Sequence, residues 1–224
     1  MNLATALAAL PADAPLCVAF SGGGDSMALL HAVAALRPAK LRALHVNHRL
    51  QQSSDDWARR CDMFCHGLGV HLTVVRVDVD MAGGQGPEAA AREARYAAFA
   101  EHLGENELLL LAHHRDDQVE TVLLKLLRGA GPAGLGGMPP SRPLGRGRLL
   151  RPLLNVPRAD LRQYLDHHGL TPVEDPSNAD HAMARSYLRA EIMPRLARHW
   201  PQAAQSIVHA ANASAAAADF IEGK

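Results

Sequence analysis

Short apolar runs alternate with longer stretches of helical periodicity along the chain. The runs at 16–20 (Leu16-Cys-Val-Ala-Phe20), 41–46, 71–79, 107–112 and 149–154 predict β-strands. Two of them are continuous apolar runs, as expected of strands covered on both faces. Between the strands, apolar positions recurring every three or four residues predict helices over 25–36, 53–67, 87–103, 116–128, 157–168 and 182–199. This alternation predicts an α/β protein with a mostly parallel five-stranded sheet, helices on both faces and a helical segment after it. In such sheets ligands bind beyond the carboxyl ends of the strands. The residues that follow each strand therefore carry the functional question.

Directly after the first strand stands Ser21-Gly22-Gly23-Gly24-Asp25-Ser26, which turns the chain into a helix. Glycines without Cβ let backbone N–H groups converge on one anion, and the helix adds its positive N-terminal end. The stretch predicts a phosphate cradle. It lacks the Gly-Lys-Ser/Thr ending of a Walker loop. An ordinary glycine turn is the alternative, and the serines with Asp25 weigh against it. After the second strand come His45, Asn47, His48 and Arg49, a polar cluster where a base or ribose would be read, or a turn satisfied by local hydrogen bonds.

After the fourth strand comes His113-His-Arg-Asp-Asp117-Gln-Val-Glu-Thr121, with His113 and Asp117 on one face of a helix starting there. Carboxylates beside a phosphate loop are expected ligands for Mg²⁺, which makes Asp25 and Asp117 candidate metal ligands. Simple helix capping competes for Asp116 and Asp117. Arg92 and Arg95 suit phosphate clamps or an exposed salt-bridged face, while Tyr96 and Phe99 read as core. Arg185 and Arg189 follow a turn at Glu174–Asn178. They can stabilise charge on a phosphate or pair with Glu174 and Asp175.

Composition narrows the classes. With 224 residues, 48% hydrophobic and 21% charged, the chain suits one globular domain or slightly more. No apolar run approaches the roughly 20 residues that span a bilayer. Three cysteines, an odd number, argue against a disulfide framework and for a reducing cytosol. Formal charge is zero but uneven: residues 1–140 hold 12 basic and 15 acidic side chains, residues 141–224 hold 11 and 8. Arg142, Arg146, Arg148 and Arg151 fall in one short stretch, a face for a polyanion or a solvated loop. The glycine-proline run 129–140 is a long connection of the kind that is often functional. From about residue 203 the chain is alanine-rich and predicts a further helix.

Taken together, Ser21–Ser26, His45–Arg49, Ala91–Phe99, His113–Thr121, Arg128–Gly131, Gly134–Met138, Arg151–Leu154 and Glu174–Asn178 with Arg185 and Arg189 resemble the N-type ATP pyrophosphatases. Within that group they are most similar to the tRNA(Ile)-lysidine synthases. The resemblance implies ATP and Mg²⁺ as cofactors, and a CAU-anticodon tRNA(Ile) and free lysine as partners, with no membrane and room for a homodimer. It implies Asp25, Asp117, His113 and Arg185 as catalytic residues. Ser21, Gly22, Gly23, Gly24, Asp25, Ser26, His45 and Asn47 would bind ATP. Arg92, Arg95 and Arg189 would position nucleotide or tRNA, and Asp25 and Asp117 would hold the metal. It further implies a catalytic domain over 1–200, with 201–224 starting a helical linker to a C-terminal tRNA-binding region that this chain lacks. A thiolase of the same group would show Cys-x-x-Cys, and a glutamine-dependent enzyme would need a glutaminase module; neither is present. A non-catalytic nucleotide- or tRNA-binding module remains as an alternative from another class.

Overall fold

The computed structural model describes residues 2–11, 13–36, 40–48, 54–78, 86–172 and 184–223. In chain order its elements are α1 (Leu3–Leu7), β1 (Leu16–Ala19), α2 (Gly24–Ala35), β2 (Leu41–Asn47), α3 (Ser54–Gly67), β3 (His71–Arg76), α4 (Pro87–His102) and β4 (Leu108–Leu110). There follow α5 (Arg115–Leu127), α6 (Pro132–Leu135), β5 (Ser141–Leu144), β6 (Gly147–Leu150), α7 (Arg158–His167), α8 (Ala184–Tyr187), a π-helical turn (Leu188–Ile192), α9 (Met193–His199) and α10 (Ala203–Glu222).

The strands form one sheet in the order β3-β2-β1-β4-β6-β5, parallel except for β5. Strand alternation divides the core in two. Val18, Ala43, Leu108 and Leu110 face α2, α3 and α7, whereas Cys17, Leu44, Leu109 and Leu149 face Phe99 and Leu103 at the end of α4. From β1 the chain builds outward through β2 and β3, then crosses to the other side of β1 to lay down β4. That reversal is the topological switch point, where the ends of β1 and β4 splay and leave a crevice.

The sheet has six strands rather than five. The additional one, β5, pairs antiparallel with β6 through a turn at Gly145-Arg146. Gly145 has φ 54°, and a Cβ there would collide with the Ala100 carbonyl, so the hairpin needs glycine at this position. The helix expected over 182–199 is broken by the π-helical turn, and its first residues lie outside those described. The same holds for Arg49, for Glu174–Asn178 and for the end of the expected strand 71–79.

Within the glycine-proline connection α6 forms, and the Gln118 amide ties the segment down. It donates to the Met138 carbonyl at 3.0 Å and accepts the Met138 N–H at 2.8 Å. α10 packs on α5 and α6, with Ala215 close against Gly136.

Candidate active site

A cavity of about 530 Å³ opens at the carboxyl ends of β1, β2 and β4. Ser21, Asp25 and Ser26 line it from the first strand end, His45 and Asn47 from the second, His113 and Asp117 from the fourth, and Arg95, Tyr96 and Phe99 from α4.

The glycine loop is fixed by its own serines. The Ser21 N–H donates to Ser26 Oγ at 3.2 Å, and the Gly23 N–H to Ser21 Oγ at 3.3 Å. Ser26 Oγ in turn donates to the Gly23 carbonyl at 2.9 Å and lies 3.0 Å from Ser21 Oγ, which must therefore be the donor of that pair. Gly23 caps α2 without a side chain, so the first-turn N–H groups stay open to an anion. Gly22, at φ 83°, allows the loop to lie against α3: a Cβ there would stand 2.5 Å from Trp57 Nε1 and 2.9 Å from Cys61 Sγ. The Trp57 indole N–H donates to the Ser21 carbonyl at 2.6 Å. In a trans peptide the next N–H points the opposite way, so this bond turns the Gly22 N–H away from Trp57.

His114 stands between the two candidate metal ligands and is 1% exposed. Its Nδ1 accepts the Asp117 N–H at 3.3 Å, while the Asp117 carboxylate accepts the His114 N–H at 3.0 Å, a reciprocal cap on α5. The ring proton therefore sits on Nε2, buried 3.5 Å from Asp25 Oδ2 and without a hydrogen-bond partner among the described residues. Burial opposes a charge on Asp25, but the His114 ring facing it, with Arg158 and Arg189, holds its carboxyl below the ordinary value. Burial likewise opposes protonation of His114, yet Asp25, Asp117 and Asp116 raise its pKa. Among the described residues no group of three or more His, Cys, Asp or Glu side chains could hold a metal ion alone. Two carboxylates at the mouth of an anion cradle do suit Mg²⁺, which is bound by one or two carboxylates together with phosphate oxygens and water.

His113 has opposite surroundings. Burial pushes its pKa down to about 3, helped by Arg151, Arg92, Arg95 and Arg185. Its Nδ1 accepts from Arg151 Nε at 3.3 Å, which leaves the ring proton on Nε2. His113 is thus a neutral hydrogen-bond donor. His45 is also neutral: burial lowers its pKa, and its ring nitrogen donates to the Phe20 carbonyl at 2.8 Å. Asn47 Nδ2 bonds to Asp55 Oδ1 at 3.1 Å.

The two downstream arginines dock on α5. Arg189 makes a fork to Glu120 at 2.7 and 3.0 Å and reaches Asp117 at 3.5 Å. Arg185 donates to Thr121 Oγ1 at 3.1 Å and keeps 39% of its side chain exposed. The structure therefore gathers Asp25, His45, Asn47, Arg95, His113 and Asp117 around one cavity and sets Arg185 and Arg189 beside it on α5. Arg92 instead donates to the Tyr96 hydroxyl at 3.3 Å. Sequence reading missed the roles of His114 and Trp57, and named Arg151 only within a basic stretch and a family match, not as the partner of His113. Only His114 carried a local signal, as the residue before a helix with Asp three positions on.

The PP-loop domain model matches residues 2–196, which include the whole sheet and every strand end described above. The chain belongs to the PP-loop domain family. It is 54% identical over 219 residues to a tRNA(Ile)-lysidine synthase of Alkalilimnicola ehrlichii, covering 96% of this chain and 49% of that protein. It is 55% identical over 199 residues to the same enzyme of Pseudomonas aeruginosa, covering 87% of this chain and 45% of the relative. The chain thus spans about half the length of the curated relatives it matches. Among solved structures, the U34-tRNA thiolase NcsA of Methanococcus maripaludis with its [4Fe-4S] cluster superposes with a TM-score of 0.73 at 18% identity, over 89% of this chain and 70% of that one. This likeness shows the fold. Cys17, Cys61 and Cys65 of the present chain are free and buried. No helix among the described residues is long and apolar enough to cross a membrane.

Proposed function

We propose that this chain is the ATP-using catalytic part of a tRNA(Ile)-lysidine synthase. In the first step the C2 oxygen of the wobble cytidine of a CAU anticodon attacks the α-phosphorus of ATP, and pyrophosphate leaves. In the second the ε-amine of lysine attacks C2, and AMP leaves with that oxygen. The observation that carries the reading is the placement of Asp25 and Asp117 on either side of His114 at the mouth of the glycine loop. The identity of about half of all aligned residues to synthases of this name supports it.

The open amides of α2 and the Ser21–Ser26 loop would receive phosphate, with His45 and Asn47 at the nucleoside end. Mg²⁺ held through Asp25 and Asp117 would neutralise charge on the α-phosphate and the departing pyrophosphate. Arg185 would face the same phosphates, with Arg189 holding α5 in register through Glu120. Arg92 and Arg95 would position nucleotide or tRNA from α4. With a pKa of about 3, His113 stays neutral and serves the site as a hydrogen-bond donor from Nε2. On this reading residues 1–200 form the catalytic domain and 201–224 lead toward a tRNA-gripping region, and the enzyme works in the cytoplasm.

The test is incubation with Mg-ATP, radiolabelled lysine and a CAU-anticodon tRNA(Ile) transcript, beside an Asp117→Ala control. Label on the tRNA that disappears in the control is the expected result. A chain that neither transfers label nor binds ATP would overturn the reading from its first motif onward.

A further inference from the structure

Arg151 is charged and only 4% exposed, yet no carboxylate among the described residues pairs with it. Its Nη1 donates to the Pro139 carbonyl at 2.7 Å, its Nε to His113 at 3.3 Å and its Nη2 to the Tyr96 hydroxyl at 3.5 Å. Bonds to neutral groups orient a guanidinium but leave its charge uncompensated, which is costly in a buried position. Two more guanidinium groups join it on the same ring. Arg92 lies 4.9 Å and Arg142 5.0 Å from the Tyr96 centroid. Among the described residues none of the three forms an ion pair with Asp or Glu.

This convergence is built by the hairpin. The β5–β6 register sets Arg142 opposite Leu149, on the sheet face that packs against α4, and so brings it to Tyr96. Arg92, Arg142 and Arg151 do not line the cavity, whereas Tyr96 and His113 do. A ligand held wholly in the cavity faces Tyr96 and His113. A ligand with one base in the cavity and a phosphate chain running out of it also meets the arginines. Planar guanidinium groups suit phosphate oxygens in pairs, and three uncompensated charges suit a polyanion better than one small carboxylate. The depressed pKa of His113 records the same positive field from inside the cavity.

We propose that Arg92 and Arg142, gathered on Tyr96 with the buried charge of Arg151 behind them, hold backbone phosphates of the RNA strand whose reacting base enters the cavity. The inference rests on the tRNA reading above and adds to it where the strand leaves the site.

The test uses the 224-residue chain, a fluorescein-labelled RNA hairpin with a CAU loop, and titrations at several NaCl concentrations. Arg142→Ala and Arg92→Ala should each weaken hairpin binding about tenfold and flatten the slope of log K against log [NaCl] by roughly 0.7 to 1. In Arg142→Ala, ATP affinity measured by calorimetry should not change. Arg142→Lys should keep the slope while losing part of the affinity, because it keeps the charge and loses the fork. Unchanged hairpin affinity and slope in both alanine variants would overturn the clamp. So would ATP or free-lysine affinity falling in step with hairpin affinity in Arg142→Ala, since that arginine would then serve the ATP phosphates or the lysine carboxylate. A wild-type chain that binds ATP but no hairpin at low salt overturns the clamp and spares the ATP reading. One that binds neither removes the reading on which the clamp rests.

Discussion

His113 and His114 are neighbours in sequence and opposites in charge preference, because one faces arginines and the other aspartates. The difference has a thermodynamic consequence for His113. Its folded pKa of about 3 lies below the ordinary 6.5, so between those values the unfolded chain holds a proton that the folded chain does not. Stability therefore falls as the pH drops through that window, by about 2 kcal/mol at pH 5 from this residue alone. Replacement by asparagine, which can still accept from Arg151, should flatten the fall in urea midpoint between pH 7 and pH 5. An identical pH profile in His113→Asn would show that the ring is solvated. Trp57 gives a second prediction. Trp57→Phe keeps the ring against Cys61 and loses only the bond to the Ser21 carbonyl. ATP affinity should fall about five- to tenfold with little change in melting temperature, as expected for one neutral hydrogen bond. Unchanged affinity in calorimetry would mean that the serines alone hold the loop. Ser21, Asp25, His45 and Asp117 were legible in the sequence because each sits at a strand end. Trp57 was not, because nothing local marks a residue that reaches its role by packing; Arg151 was legible as part of a basic stretch, but its contacts with His113 and Tyr96 were not.

At the scale of elements, the parallel core was readable where burial is complete. β1 and β4 are apolar runs, and their neighbours α2 and α5 begin where glycine and polar residues end those runs. β5 was not readable, since Ser141-Arg-Pro-Leu144 is polar, short and carries a proline tolerated only because it lies on an edge. Its existence depends on tertiary pairing and on one turn. Gly145→Ala introduces a positive-φ penalty and a clash with the Ala100 backbone together. It should cost roughly 1 to 3 kcal/mol by chemical denaturation. Because Arg142 rides on the same hairpin, hairpin-RNA affinity should fall beyond what the stability loss explains, while ATP binding persists. Wild-type RNA affinity in a measurably destabilised Gly145→Ala protein would separate the hairpin from the arginine cluster.

For the whole molecule the cavity matters as a junction. Its walls come from β1, β2 and β4 and from α4 and α5, so a ligand there bridges elements on both sides of the switch point. A ligand that binds only the folded state stabilises all of it together, by about 2.7 kcal/mol at one hundred times its Kd. For a chain of this size that corresponds to a rise in melting temperature of roughly 5 to 10 °C. If Asp25 and Asp117 act through Mg²⁺, ATP with EDTA should give a clearly smaller rise than Mg-ATP at the same nucleotide concentration. Asp117→Asn sharpens the comparison. Its amide oxygen can still accept the His114 N–H that caps α5, so the helix start is preserved while one anionic metal ligand is lost. In this variant the curves with Mg²⁺ and with EDTA should nearly coincide. Equal shifts with and without Mg²⁺ in the wild type would instead show that the two carboxylates brace His114 and hold no metal.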